Sequence, residues 1–138
     1  MPAISDAFDD LLALARAARE QAYAPYSNFL VGAALLTRDG RRFSGCNVEN
    51  ASYGLCNCAE RTALFSAIAA GCRPGDFAAL AVVADTENPV SPCGACRQVM
   101  SELCDDAMPV LLANLHGDTQ QTSVAALLPG SFKLPLSA

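Results

Sequence analysis

Phe77-Ala78-Ala79-Leu80-Ala81-Val82-Val83-Ala84 runs for eight residues without a polar side chain. A strand with one wet face alternates apolar and polar residues, so an unbroken apolar run of this length fits a strand covered on both faces. Helices are the usual cover, and the neighbouring segments supply them. Upstream, Cys58 to Ala70 carries Ala59, Ala63, Leu64, Ala67 and Ile68 at helical spacing and stops at Gly71. Downstream, a loop with two prolines leads into Cys93 to Leu103, where Val99 and Leu103 lie a turn apart. Further out, Phe29 to Thr37 reads as a strand, Arg38-Asp39-Gly40-Arg41 as a hairpin turn and Arg42 to Glu49 as the return strand. Pro109 to Ala113 and Thr119 to Thr122 complete the strands, and Ser123 to Leu128 forms a helical turn. At the start, Ser5 is placed to cap a helix with Asp6, Asp9 and Asp10 in its first turn. Phe8, Leu11, Leu12, Ala15, Ala18 and Ala22 form its apolar stripe, and Pro25 ends it. Strands alternating with helices predict an α/β layered domain with a mixed sheet, one domain over residues 1–138.

Composition narrows the function classes. Of 138 residues, 52% are hydrophobic and 17% charged, which is apolar for so short a chain and favours burial of surplus surface between subunits. The net charge is −5 with no Lys/Arg run, so the basic footprint that a nucleic-acid backbone requires is missing. Small neutral or cationic ligands suit this balance better. The apolar segment Leu11 to Ala18 is broken by Arg16, too soon for a membrane span. Met1-Pro2-Ala3-Ile4-Ser5-Asp6 lacks the basic-then-apolar pattern of a signal peptide, so the expected location is cytoplasmic. There, seven cysteines read as ligands or reduced core residues rather than disulfides, and an odd count cannot pair fully within one chain.

Chemistry concentrates in Cys58-Ala59-Glu60-Arg61 and Pro92-Cys93-Gly94-Ala95-Cys96. Each begins a predicted helix, where unpaired N–H groups and the positive dipole end favour thiolates. Zinc takes four tetrahedral ligands, and three from the protein leave one position for water, which is the catalytic arrangement. A fourth protein ligand, sought among His116, Cys46, Cys56, Cys72 and Cys104, would make the site structural. His116 reads as a surface turn residue and Cys56 as a loop residue outside the helix. Cys46, Cys72 and Cys104 read as small buried hydrophobes. Glu60 is placed to move protons for the bound water, and equally to stabilise a helix N-terminus. Three thiolates on zinc total about −1, so Arg61 is expected to hydrogen-bond a ligand thiolate and draw charge from it. Asn47 and Glu49, two apart on a strand, share a face. That pair suits a sugar hydroxyl, and equally suits satisfying the following loop, Asn50 to Gly54.

With these residues in place, the chain resembles the cytidine deaminases of the small homotetrameric, three-cysteine zinc type. The resemblance rests on a first ligand, x, Glu, then Pro-Cys-x-x-Cys, read here as Cys58-Ala59-Glu60 and Pro92 to Cys96. It extends through Ala24 to Phe29, Val31 to Leu35, Gly45 to Tyr53, Arg97-Gln98-Val99 and Leu127-Leu128-Pro129, covering about residues 10 to 132. It implies a three-layer α/β/α fold with a five-stranded mixed sheet. It also implies Zn2+ on Cys58, Cys93 and Cys96 and Glu60 as proton shuttle. Asn47 and Glu49 would grip the ribose 3′-hydroxyl, Phe29 would lie against the pyrimidine, and the Ala59 backbone would bind the base carbonyl. Tyr53 and Phe132 would reach a neighbouring subunit's pocket in a homotetramer with shared sites. The implied reaction is hydrolysis of cytidine and 2′-deoxycytidine to uridine and 2′-deoxyuridine, by zinc-activated hydroxide attack on C4, in pyrimidine salvage. The partner would be a free nucleoside, with neither nucleic acid nor membrane involved. Two rivals remain at this level: a deaminase of a cytosine-containing antibiotic nucleoside, and a non-enzymatic structural zinc or thiol module.

Overall fold

The computed structural model describes residues 4–136. One five-stranded sheet has the spatial order β2-β1-β3-β4-β5. In chain order, α1 is Ile4–Arg19, β1 Val31–Thr37, β2 Arg42–Cys46, α2 Ala59–Ala69, β3 Phe77–Ala84, α3 Gly94–Leu103, β4 Pro109–Ala113, β5 Thr119–Ser123 and α4 Val124–Leu127. β3 pairs antiparallel with β1 and parallel with β4, and the two edge strands are antiparallel to their neighbours. The mixed sheet expected from the sequence is therefore present. Among the described residues, no helix is long and apolar enough to cross a membrane.

The apolar run of β3 sits at the centre and is buried along nearly its whole length. Alternation sends Leu80 and Val82 to one face, and a register shift against Leu36 and Thr37 at the start of the strand puts Phe77 with them; there they pack with Ala63, Leu64 and Ala67 of α2 and Cys96 and Met100 of α3. It sends Ala79, Ala81 and Val83 to the other face, under Leu11 and Ala15 of α1. The α1 face is paved with small residues, so the helix comes close. A Cβ on Gly32 of β1 would lie 1.9 Å from the Ala15 carbonyl oxygen. Gly45 of β2 plays the same part for α2, where a Cβ would lie 2.5 Å from the Ala63 nitrogen and 2.6 Å from the Ala59 oxygen. These glycines bring two helices down onto the sheet, and the α2 contact is made by the turn that follows Cys58.

Several boundaries differ from the sequence expectation for local reasons. α1 ends at Arg19, before Ala22 and Pro25, because turn hydrogen bonds take over at Glu20 to Ala22. The expected cap, Ser5, falls inside α1, and its side chain and that of Asp6 lie outside the described residues. β1 starts at Val31 rather than Phe29, since Asn28 adopts φ 58° and turns the chain out of the sheet. β2 ends at Cys46 rather than Glu49. Beyond its last pair with Gly32, the chain from Asn47 to Glu49 bridges instead to Tyr23 and Asn57. Ser123, expected inside the last helical turn, instead ends β5 and caps α4, its hydroxyl accepting from the Ala126 N–H at 3.2 Å.

Candidate active site

The site is assembled from four chain turnings at one end of the sheet: the entry to β1, the exit from β2 and the starts of α2 and α3. Cys58 and Cys93 are the N-cap residues of α2 and α3. Neither side chain caps its own helix with a hydrogen bond, so both sulfurs are free to meet. They lie 3.6 Å apart, and with the Cys96 sulfur, one turn into α3, all three fall within 4.8 Å of one another. Tetrahedral zinc at a Zn–S length of about 2.3 Å holds its sulfurs about 3.8 Å apart. The spacing and the donor type therefore both fit that ion. Cys56 is spent elsewhere: its sulfur accepts from the Asn50 N–H at 3.3 Å and closes the loop before α2. Cys72 and Cys104 are buried in the core, Cys46 is half-buried, and His116 is exposed beside Asp85 at 3.0 Å.

The electrostatics follow from this crowding. The Cys58 thiol is pulled down to about 5, first by a hydrogen bond from the Cys96 thiol, against burial, and with help from the Arg61 guanidinium. Cys96 is pushed up, first by its hydrogen bond to Cys58 and then by burial. Arg61 Nη2 donates to the Cys58 sulfur at 3.3 Å, and the bond to that thiolate holds the guanidinium firmly protonated. Its Nε is buried without a partner. A buried N–H left unpaired beside sulfurs fits a centre whose full negative charge develops only with three thiolates. Glu60, only 4% exposed, is pushed up by burial first and by the Cys58 charge as well.

Phe29, Asn47, Cys58, Ala59, Glu60 and Cys93 line a single cleft of about 190 Å³, together with Val31, Val90 and Ser91. A family model for the cytidine and deoxycytidylate deaminase zinc-binding region matches residues 7–112, the stretch that carries this whole cleft. The chain belongs to that deaminase family. Among curated family members it is 61% identical over 124 residues to the cytidine deaminase of Sporosarcina psychrophila, covering 90% of each chain. It is 64% identical over 115 residues to that of Halalkalibacterium halodurans, covering 83% of this chain and 86% of the other. A crystal structure of cytidine deaminase from Burkholderia pseudomallei superposes with a TM-score of 0.89 at 66% identity, covering 90% of this chain and 98% of that one. The deaminase family is a zinc-binding one, which agrees with the three-sulfur cluster.

The remaining sequence-predicted residues of this deaminase fall in two places. Glu49 and Tyr53 line a second hollow of about 240 Å³ with Tyr26, Ser27 and Cys56. Phe132 lies on the C-terminal tail, 63% exposed, and lines neither hollow. Asn47 and Glu49 do not satisfy the loop after them, as one sequence reading allowed; they hold the loop before β1. Asn47 Nδ2 donates to the Phe29 carbonyl and its Oδ1 accepts from the Val31 N–H, both at 2.8 Å. Glu49 Oε1 accepts from the N–H groups of Tyr26 and Ser27 at 3.0 and 3.1 Å, and Oε2 accepts from the Ser27 hydroxyl. These bonds, the side-chain one first, hold the Glu49 carboxyl below its ordinary value. Sequence reasoning missed Ser27 and also Arg97, whose guanidinium ties Pro92, Ser91 and Leu127 together at 2.8, 2.6 and 2.8 Å and so fixes the segment that presents Cys93. Both lie inside blocks that resemble the family, but their partners are set by loop folding and not by spacing.

Proposed function

We propose that this chain, as a single domain, hydrolyses cytidine and 2′-deoxycytidine to uridine and 2′-deoxyuridine with release of ammonia. One observation carries the reading: the buried Glu60 lines one cleft with Cys58 and Cys93, whose sulfurs cluster with that of Cys96, in a chain of the deaminase family. The relatives at 61% and 64% identity are themselves cytidine deaminases.

Cys58, Cys93 and Cys96 hold Zn2+. Zinc, when bound there, lowers the pKa of a water to about 7 and so makes a nucleophile available at neutral pH. Glu60 moves the protons: it takes one from the attacking water and delivers it to ring N3, which makes C4 electrophilic, then takes the second from the added hydroxyl and delivers it to the amino nitrogen, which leaves as ammonia. Its burial keeps bulk water from taking those protons. Arg61 balances the sulfur charge. The Ala59 N–H, at the open start of α2, meets the base carbonyl, and Phe29 lies against the ring. Asn47 and Glu49 hold the 3′-hydroxyl, a group that is esterified inside a polynucleotide, so free nucleosides are the substrates.

A cleft of about 190 Å³ is smaller than the ~300 Å³ or more usual for such ligands, so further walls are required. Tyr53 at 76% exposure and Phe132 at 63% are suited to supply them across a subunit boundary. The assembly is a homotetramer with shared sites, working in cytoplasmic pyrimidine salvage. The test follows cytidine by its absorbance change with wild type and Glu60→Gln. The variant should keep its zinc and lose activity by about 10²–10⁴-fold. Equal turnover would overturn the assignment of Glu60.

A further inference from the structure

Two hollows adjoin the entry to β1. One is lined by Cys58, Cys93, Glu60, Asn47 and Phe29, and the other by Glu49. Ser27 is the side chain that joins them. Its hydroxyl donates to Glu49 Oε2 and accepts from the Phe29 N–H at 3.0 Å. The positive φ of Asn28, 58°, turns the Phe29 N–H back toward that oxygen. From the opposite side Asn47 holds the Phe29 carbonyl at 2.8 Å. Phe29 is thus fixed at its N–H by Ser27 and at its carbonyl by Asn47.

A carboxylate offers about four acceptor positions. Glu49 spends two on backbone N–H groups, Tyr26 and Ser27, through Oε1 and a third on the Ser27 hydroxyl through Oε2. One position remains, on Oε2, for a sugar hydroxyl. Without the Ser27 hydroxyl, both Oε2 positions are open and nothing fixes which one the sugar meets. The Phe29 N–H loses its partner at the same time.

We propose that Ser27 is a positioning residue that ties the sugar-binding carboxylate of Glu49 to the base-stacking Phe29, so that sugar and base are held in fixed relation by one hydroxyl. The proposal rests on the reading of Glu49 as the group that meets the 3′-hydroxyl. Its specific consequence is discrimination: the hydroxyl of Ser27 matters to substrates in proportion to their own 3′-hydroxyl.

The experiment compares kcat and KM for cytidine and 3′-deoxycytidine in zinc-loaded wild type, Ser27→Ala and Ser27→Thr. Ser27 is exposed on a loop, so folding is not at stake, and melting curves verify it. For Ser27→Ala, kcat/KM for cytidine should fall about tenfold, mostly through KM, by the loss of a charge-assisted hydrogen bond. The ratio of kcat/KM between cytidine and its 3′-deoxy analogue should shrink by a similar factor. Ser27→Thr, which keeps the hydroxyl, should restore the ratio. If Ser27→Ala lowers both substrates equally, or Ser27→Thr fails to restore the ratio, the positioning role is overturned while the Glu49 reading stands. If wild type itself does not distinguish the two nucleosides, the Glu49 reading falls and the proposal falls with it.

Discussion

Gly45→Ala is the sharpest test of how the fold sets the chemistry. The added methyl would lie 2.5 Å from the Ala63 nitrogen, 2.6 Å from the Ala59 oxygen and 2.9 Å from the Thr62 Cβ. The first two are backbone atoms of the opening turn of α2, so no side-chain rotation relieves them. Ordinary contact begins near 3.4 Å, so the start of α2 must retreat from β2 by about 0.9 Å. That turn follows Cys58 directly and carries Ala59, Glu60 and Arg61, whereas Cys93 and Cys96 stand on α3 and do not move with it. A displacement near 1 Å costs about 10²-fold in rate where reacting groups must align. Overpacking of this kind costs about 1–3 kcal/mol in stability, or roughly 4–12 °C in melting temperature. The assays are cytidine turnover by absorbance, zinc per chain and a melting curve. A loss of about 10²-fold in kcat with weakened zinc retention is expected. Wild-type kcat and zinc content in a folded Gly45→Ala variant would refute the argument that the β2–α2 approach sets the site.

Arg61→Ala should weaken zinc binding about 10–100-fold, read by competition with a chromophoric chelator, because it removes the donor on the Cys58 sulfur. Unchanged affinity would remove Arg61 from the metal's surroundings. Asp39, held down to about 2 chiefly by the Thr37 hydroxyl and then by Arg41, stabilises the hairpin turn in its charged form. Because its folded value is below the ordinary 3.8, that stabilisation is full above 3.8 and fades as pH falls through about 2. Asp39→Asn should therefore melt below wild type at pH 7, with the gap closing between pH 3.8 and 2. A gap constant over that range would sink the assignment.

What the sequence revealed depended on the range of each interaction. The burial of Phe77–Ala84 on both faces was legible because eight consecutive apolar side chains admit few other readings. The sulfur cluster was legible because residue type, helix position and spacing all constrain it. The surroundings of Asn47 and Glu49 were only half legible. Their side-chain partners lie 16 to 23 residues earlier, in a loop whose path turns on the positive φ of Asn28. Nothing local in Asn-Val-Glu encodes that. Likewise the family pattern includes Gly45, but only the three-dimensional approach of α2 shows what its missing side chain permits.

Cys58 and Cys93 stand on cap positions and leave the first N–H groups of two helices without a side-chain partner. The helices are seated by packing against the sheet in which Cys96, with Cys58 at its edge, takes part beside Ala63, Leu64, Ala67 and Met100. Most of the contacts that seat them, Ala63, Leu64, Ala67 and Met100 with Phe77, Leu80 and Val82, need no ion. Demetallated protein should then keep its secondary structure and accept zinc without refolding, so metal supply can govern activity without governing survival of the chain.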